Sequence, residues 1–141
     1  MSNLELDALT TFLHGRGEST EVEYFGQSEF VIGRRLRRRE FEVVYRQDGN
    51  EVVIADFITR EGCDDVDAVS AFIRLIHWIE RELPDLYRVR GLFVRTEAQP
   101  QLNQVRERLS RVLERKGAHW QMIEGDAWLV YPLQAARDNR R

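Results

Sequence analysis

The order of hydrophobic patterns along these 141 residues predicts an α+β fold, a single mixed and mostly antiparallel sheet with helices on its faces. Three observations carry that expectation. Apolar and alternating runs of strand length surround short Asp48-Gly49 and Glu124-Gly125-Asp126 turns. Residues 65–83 repeat apolar side chains at helical spacing, and a second such pattern follows at 101–116. The length suits one core, since domains commonly hold roughly 100–150 residues. Residues 1–134 are therefore expected to form one domain, with 135–141 as a frayed, arginine-bearing tail.

Taken in order, residues 4–14 place Leu6, Leu9, Phe12 and Leu13 on one helical face, and Gly15 and Gly17 supply stop signals. Val22–Phe25 and Phe30–Ile32 read as short strands parted by Gly26 and Ser28. Glu40–Arg46 and Glu51–Arg60 form a hairpin, in which Phe41, Val43 and Tyr45 alternate with Glu42, Val44 and Arg46. The return strand is apolar on both faces except at Asp56, which predicts a central strand covered on both sides. A helix capped by Asp64 or Asp65 then runs to Leu83-Pro84, burying Val69, Phe72, Ile73, Ile76, Ile79 and Leu83. Arg88–Arg95 is a strand, and 101–116 is a helix that turns Leu102, Val105, Leu109, Val112 and Leu113 inward and stops at Gly117. Trp120–Ile123 and Ala127–Leu133 close the chain as a hairpin.

A 43% hydrophobic and 32% charged composition with 10% aromatics belongs to a packed chain and excludes a solvating, disordered one. The formal net charge of −3 removes the global field that draws basic proteins to nucleic acid or anionic membranes. Of the 21 basic residues every one but Lys116 is Arg, a bias that either codon usage or bidentate anion recognition would produce. Cys63 stands alone, so no internal disulfide is possible, and no His/Cys cluster has zinc spacing. The early Glu5 and Asp7 are wrong for a signal peptide, and no apolar run nears the roughly 20 residues of a membrane span. A cytoplasmic protein without membrane insertion is expected.

Arg34, Arg35, Arg37, Arg38 and Arg39 form the densest charge run in the chain. A phosphate backbone would be its obvious ligand, yet no aromatic residue interleaves it to stack a base. An acidic protein partner, or a solvated strand edge guarded by charge, uses the same residues. On the long helix, Leu75 and Trp78 lie outside the main stripe, either as core of a helix covered all round or, if exposed, as a partner-binding surface. These seven residues are the candidate contact sites. His14, His77 and His119 are scattered, Cys63 is flanked by acids that oppose a thiolate, and Ser70 and Ser110 lack a nucleophile-elbow context.

From residue 40 onward the strand–helix–strand–helix–hairpin order resembles the GNAT acetyltransferase fold. That family holds its coenzyme A pyrophosphate on a glycine-containing loop and on the amino terminus of the long helix, where free N–H groups and the dipole attract anions. Here Thr59-Arg60-Glu61-Gly62-Cys63-Asp64-Asp65-Val66-Asp67 occupies that stretch, and only Arg60 and Gly62 fit. Glu61, Asp64, Asp65 and Asp67 oppose a pyrophosphate, because unit charges about 4 Å apart interact by roughly 4 kcal/mol near a protein surface. The family's tyrosine acid would fall near Leu113, which has no proton to give. The residues therefore predict no cofactor and no catalytic or metal site, with acetyl transfer from acetyl-CoA as the enzymatic alternative and nucleic-acid binding by the arginine run as another.

End to end, the chain resembles the LcrR family of low-calcium-response proteins, which are encoded with bacterial type III secretion systems. The similarity runs through Leu9, Phe12-Leu13-His14, Gly17, Ile32-Gly33, Val52-Val53-Ile54, the helix Asp67–Leu83, Pro84-Asp85, Tyr87, Gly91, Gly117-Ala118 and Trp128. The arginine run stands outside this pattern. The resemblance implies a cytoplasmic, non-enzymatic accessory or regulatory role in secretion, exercised through protein contacts and without a cofactor; a protein partner is expected, with a homodimer as a further possibility.

Overall fold

Ten elements follow from these local signals in the computed structural model, which describes residues 6–93 and 95–133. They are α1 (Ala8–Gly15), β1 (Thr20–Tyr24), β2 (Val31–Arg37), β3 (Phe41–Asp48), β4 (Glu51–Thr59), α2 (Asp65–Glu82), β5 (Arg88–Gly91), α3 (Pro100–Arg115), β6 (His119–Ile123) and β7 (Asp126–Pro132). The strands form one seven-stranded sheet in the order β1-β2-β3-β4-β5-β7-β6. Only β4 and β5 run parallel, because α2 carries the chain back to the end where β4 began. The α+β class and the strand–helix–strand–helix–hairpin order are as expected. The tail beyond residue 134 lies outside the described residues.

Local chemistry sets the boundaries. The Asp7 carboxylate accepts the Thr10 amide at 2.7 Å and starts α1 after Leu6, so Leu6 does not share the docking face. Asp64 caps α2 through the Asp67 amide at 2.8 Å, and Leu83-Pro84 ends it. The second strand is longer than its apolar part suggests, reaching Arg37, so most of the arginine run is paired strand and not a loop.

Strand alternation gives the sheet two unlike faces. Leu36, Val43, Tyr45, Val52, Phe57, Val89, Leu129 and Tyr131 point to one side and join Leu9 and Leu13 of α1, Phe72, Ile76 and Ile79 of α2, and Val105, Leu109 and Leu113 of α3 in one core. Phe41, Phe57 and Phe72 meet there with ring centroids 4.9–5.5 Å apart. Tyr45 enters this core with its hydroxyl paired to Thr10 at 2.6 Å, which pins α1 to the sheet. All three described helices thus lie on the same side.

On the other side, Val44, Val53 and Val130 are at most 2% exposed although no helix among the described residues covers them. Their cross-strand neighbours are Arg35 opposite Val44, and Arg90 opposite both Val53 and Val130. Cross-strand pairing sets the aliphatic arginine stems beside the valines, while the guanidinium groups reach carboxylates. β4 is central in the sheet as expected, but the expectation that it is covered on both sides is only partly met: Val53 is buried on the second face by neighbouring side chains, whereas Ala55 is exposed.

Candidate functional site

The arginine run occupies the helix-free face and its margin. Arg35 is flanked by β1 and β3, and its guanidinium grips Glu23 with two bonds of 3.0 Å and Glu42 with one of 2.9 Å. Its side chain is only 16% exposed. The Arg35 bond holds the Glu23 carboxyl below its ordinary range, and the same bond raises Arg35. Arg37 meets Glu21, and also Glu42 at 3.5 Å. Arg38 pairs with Glu18 at 3.0 Å, and the Arg34 Nε donates to Thr20 at 2.9 Å on the helix side. Arg39 is exposed, and its carbonyl lies 3.5 Å from the Cys63 thiol. Of the charge that would meet a phosphate backbone, that of Arg35, Arg37 and Arg38 is balanced by Glu18, Glu21, Glu23 and Glu42.

Leu75 is 6% exposed and belongs to the core, so it leaves the candidate surface. Trp78 is partly buried and meets Phe12 edge-on at 4.8 Å, with Arg16 over the Phe12 ring and bonded to Glu82 at 2.9 Å. The first helix lies across this flank of α2. The secondary apolar stripe is therefore internal, and it is separate from the arginines of β2.

At the mouth of α2 the acidic residues serve the chain itself. Asp64 takes the Asp67 amide, and Asp65 accepts the Thr59 hydroxyl at 2.7 Å. Arg60 turns away to the Arg38 carbonyl at 3.0 Å. These acids do not converge on a point: among the described residues no three His, Cys, Asp or Glu side chains are grouped to hold a metal ion.

A cleft opens where the parallel strands part. Pairing of β4 with β5 ends at Ile54 and Gly91, and a hollow of about 100 Å³ follows, the place where open parallel sheets accept ligands. Arg106 of α3 reaches across it to the Asp56 carboxylate at 2.5 Å, with the Phe57 carbonyl at 3.5 Å. The two ionisable groups of the cleft thus neutralise one another. A neighbouring hollow of about 250 Å³ lies between Phe93, Trp120 and α3, where Arg95 bonds Glu107 at 3.0 Å. Asn103, 8% exposed, clamps the approach to α3 by accepting the Thr96 amide and donating to the Thr96 carbonyl.

No protein-family model matches the chain, and no curated protein matches it.

Sequence reasoning missed three features. Asp56 signalled itself as the one charge in an apolar strand, but nothing marked Arg106 as its partner fifty positions on. Asn103 is buried where Leu102 was expected, because the loop before α3 needs a polar clamp. Two groups of exposed apolar residues stand out: Tyr24, Phe25, Phe30 and Val31 at the β1–β2 turn, and Trp120 and Met122 along β6. Phe25 and Phe30 are 68% and 71% exposed while their backbones bond at 2.8 Å, so the turn is ordered and its rings still face water.

Proposed function

We propose that this chain is a non-enzymatic protein working through protein contacts, as a cytoplasmic accessory or regulatory component of bacterial type III secretion. The role in secretion is the one implied by the resemblance to the LcrR family. The observation that carries the contact reading is the aromatic turn between β1 and β2, where Phe25 and Phe30 project from a hydrogen-bonded hairpin. A partner suited to it offers an apolar groove, since rigid aromatic side chains make strong anchors when a partner desolvates them. Against acetyl transfer stands the mouth of α2, where Asp64 takes the Asp67 amide and acidic side chains cluster, and the adjoining cleft, bridged by the Arg106–Asp56 pair. Against nucleic acid stands the pairing of Arg35 and Arg37 of β2, and of Arg38 just after it, with glutamates.

The test is genetic and biochemical. In a bacterium carrying the secretion system, loss of the gene alters secretion of type III substrates. The wild-type chain restores it, whereas a Phe25→Ser/Phe30→Ser chain, equally folded by circular dichroism, does not. Unchanged secretion after gene loss would overturn the proposal. So would saturable binding of acetyl-CoA by calorimetry together with turnover on an amine.

A further inference from the structure

The two edges of the sheet are built differently. The β1 edge carries Glu21 and Glu23, and its pairing with β2 is irregular at Glu23/Tyr24. Charges and bulges of this kind keep edge strands from joining others. The β6 edge, His119-Trp120-Gln121-Met122-Ile123, has no carboxylate, Lys, Arg or Pro, and its pairing with β7 is unbroken. Trp120 is 47% and Met122 67% exposed.

The direction of the free backbone groups follows from the turn. Glu124 and Gly125 both have positive φ, 51° and 88°, as a two-residue type I′ turn requires. Such a turn closes on a hydrogen-bonded pair, here Ile123 with Asp126, and bonded and non-bonded pairs alternate from there. Gln121 and His119 therefore bond to β7. Trp120 and Met122 aim their N–H and C=O groups outward, where no described backbone group meets them.

We infer that β6 is the contact strand of a homodimer, pairing antiparallel with β6 of a second copy about a two-fold axis at Gln121. This register matches every outward donor of Trp120 with an acceptor of Met122 in the second copy and the reverse. It lays the Met122 sulfur against the Trp120 indole, a favourable contact. His119 faces Ile123, and the two Gln121 amides meet on the axis, each able to donate and accept. No like charges oppose one another. The same operation on β1, centred on Val22, would set Glu21 against Glu23 twice, so charge selects β6 over the other edge. The isologous geometry closes after two copies and leaves no free β6 edge.

The experiment is sedimentation equilibrium from roughly 1 to 200 µM, since contacts at the small end of the interface range associate in the micromolar regime. The wild type is expected to dimerise. Gln121→Glu and Gln121→Lys, at an exposed position, each weaken the dimer about tenfold or more through like charges on the axis, and an equimolar mixture of the two recovers it. Gln121→Cys in a Cys63→Ser background forms an intermolecular disulfide on oxidation, because Cα atoms of a non-bonded antiparallel pair lie about 4.5 Å apart, within disulfide reach. A wild-type monomer throughout the range overturns the inference. So does a mixture of folded charge variants that stays monomeric, or a dimer that survives Gln121→Glu unchanged.

Discussion

Arg35→Met tests whether the sheet's open face is a structural layer or a solvated charge patch. The substitution keeps much of the aliphatic stem over Val44 and deletes three bonds of 2.9–3.0 Å to Glu23 and Glu42. Hydrogen bonds to charged groups contribute about 1.5–3 kcal/mol each when buried, but Glu23 is 30% exposed, so solvent screening lowers that value. Glu42 also retains Arg37 and Arg60 at 3.5 and 3.9 Å. A loss of about 2 kcal/mol at pH 7 is expected, roughly 6 °C in melting temperature for a chain of this size. The effect must also depend on pH. Because Arg35 holds the Glu23 carboxyl below its ordinary 4.5, the pair's contribution is present in full above that value. It disappears as pH falls through the lower, folded-state value. Urea unfolding of wild type and variant at pH 7 and pH 3 should show a gap that narrows in acid. A loss under about 0.5 kcal/mol at pH 7, or an equal loss at both pH values, would refute the structural reading of the run.

Other perturbations have equally definite outcomes. Gly33→Ala should destabilise by about 2–4 kcal/mol in urea unfolding, because its Cβ would press into the Tyr45 carbonyl group, 2.9 Å from the carbon, whereas Gly49→Ala, with open space around it, should cost about 1. Burial pushes the Tyr45 phenol from 10.0 up to about 12, so stability is intact below pH 10 and should fall by about 1.4 kcal/mol per unit between there and pH 12. Tyr45→Phe should lose about 1 kcal/mol at neutral pH and lack that alkaline fall. Trp78→Ala should cost about 2 kcal/mol through the lost Phe12 contact, measured by thermal unfolding, and a cost near zero would return Trp78 to the surface.

Elements whose signal is local were readable from the residues. Asp64 ahead of α2, Leu83-Pro84 behind it, and Asp48-Gly49 where β3 turns into β4 each define a boundary within a few positions. What could not be read depends on partners far away in the chain. The meeting of Arg35, Arg37 and Arg38 with Glu18, Glu21, Glu23 and Glu42 is one such case: in sequence these are scattered letters, and strand pairing brings most of them together. Leu75 and Trp78 were ambiguous for the same reason, since the helix that covers them begins more than fifty residues earlier. The aromatic turn and the bare β6 edge had a signal in sequence, Tyr24-Phe25 and Phe30-Val31 about a Gly-Ser turn and a strand without charge, but exposure is decided by what fails to pack there.

The arginine bias itself acquires a physical reason on the open face. Arg90 lies opposite Val53 on one side and Val130 on the other, donates to Glu51 at 3.0 Å, and sets its guanidinium 4.2 Å from the Trp128 ring centre. One planar group thus serves a carboxylate and an aromatic face while its stem covers two valines. Lysine, a point charge, can satisfy only one of these. Arg88 shares Glu51 at 2.8 Å, but its side chain is 39% exposed, so less rests on it. Arg90→Lys should therefore cost about 1–1.5 kcal/mol and Arg88→Lys under about 0.5, compared by urea midpoint at constant slope. Equal costs for the two would mean that the arginines matter only for charge, and that something else keeps water from Val53 and Val130.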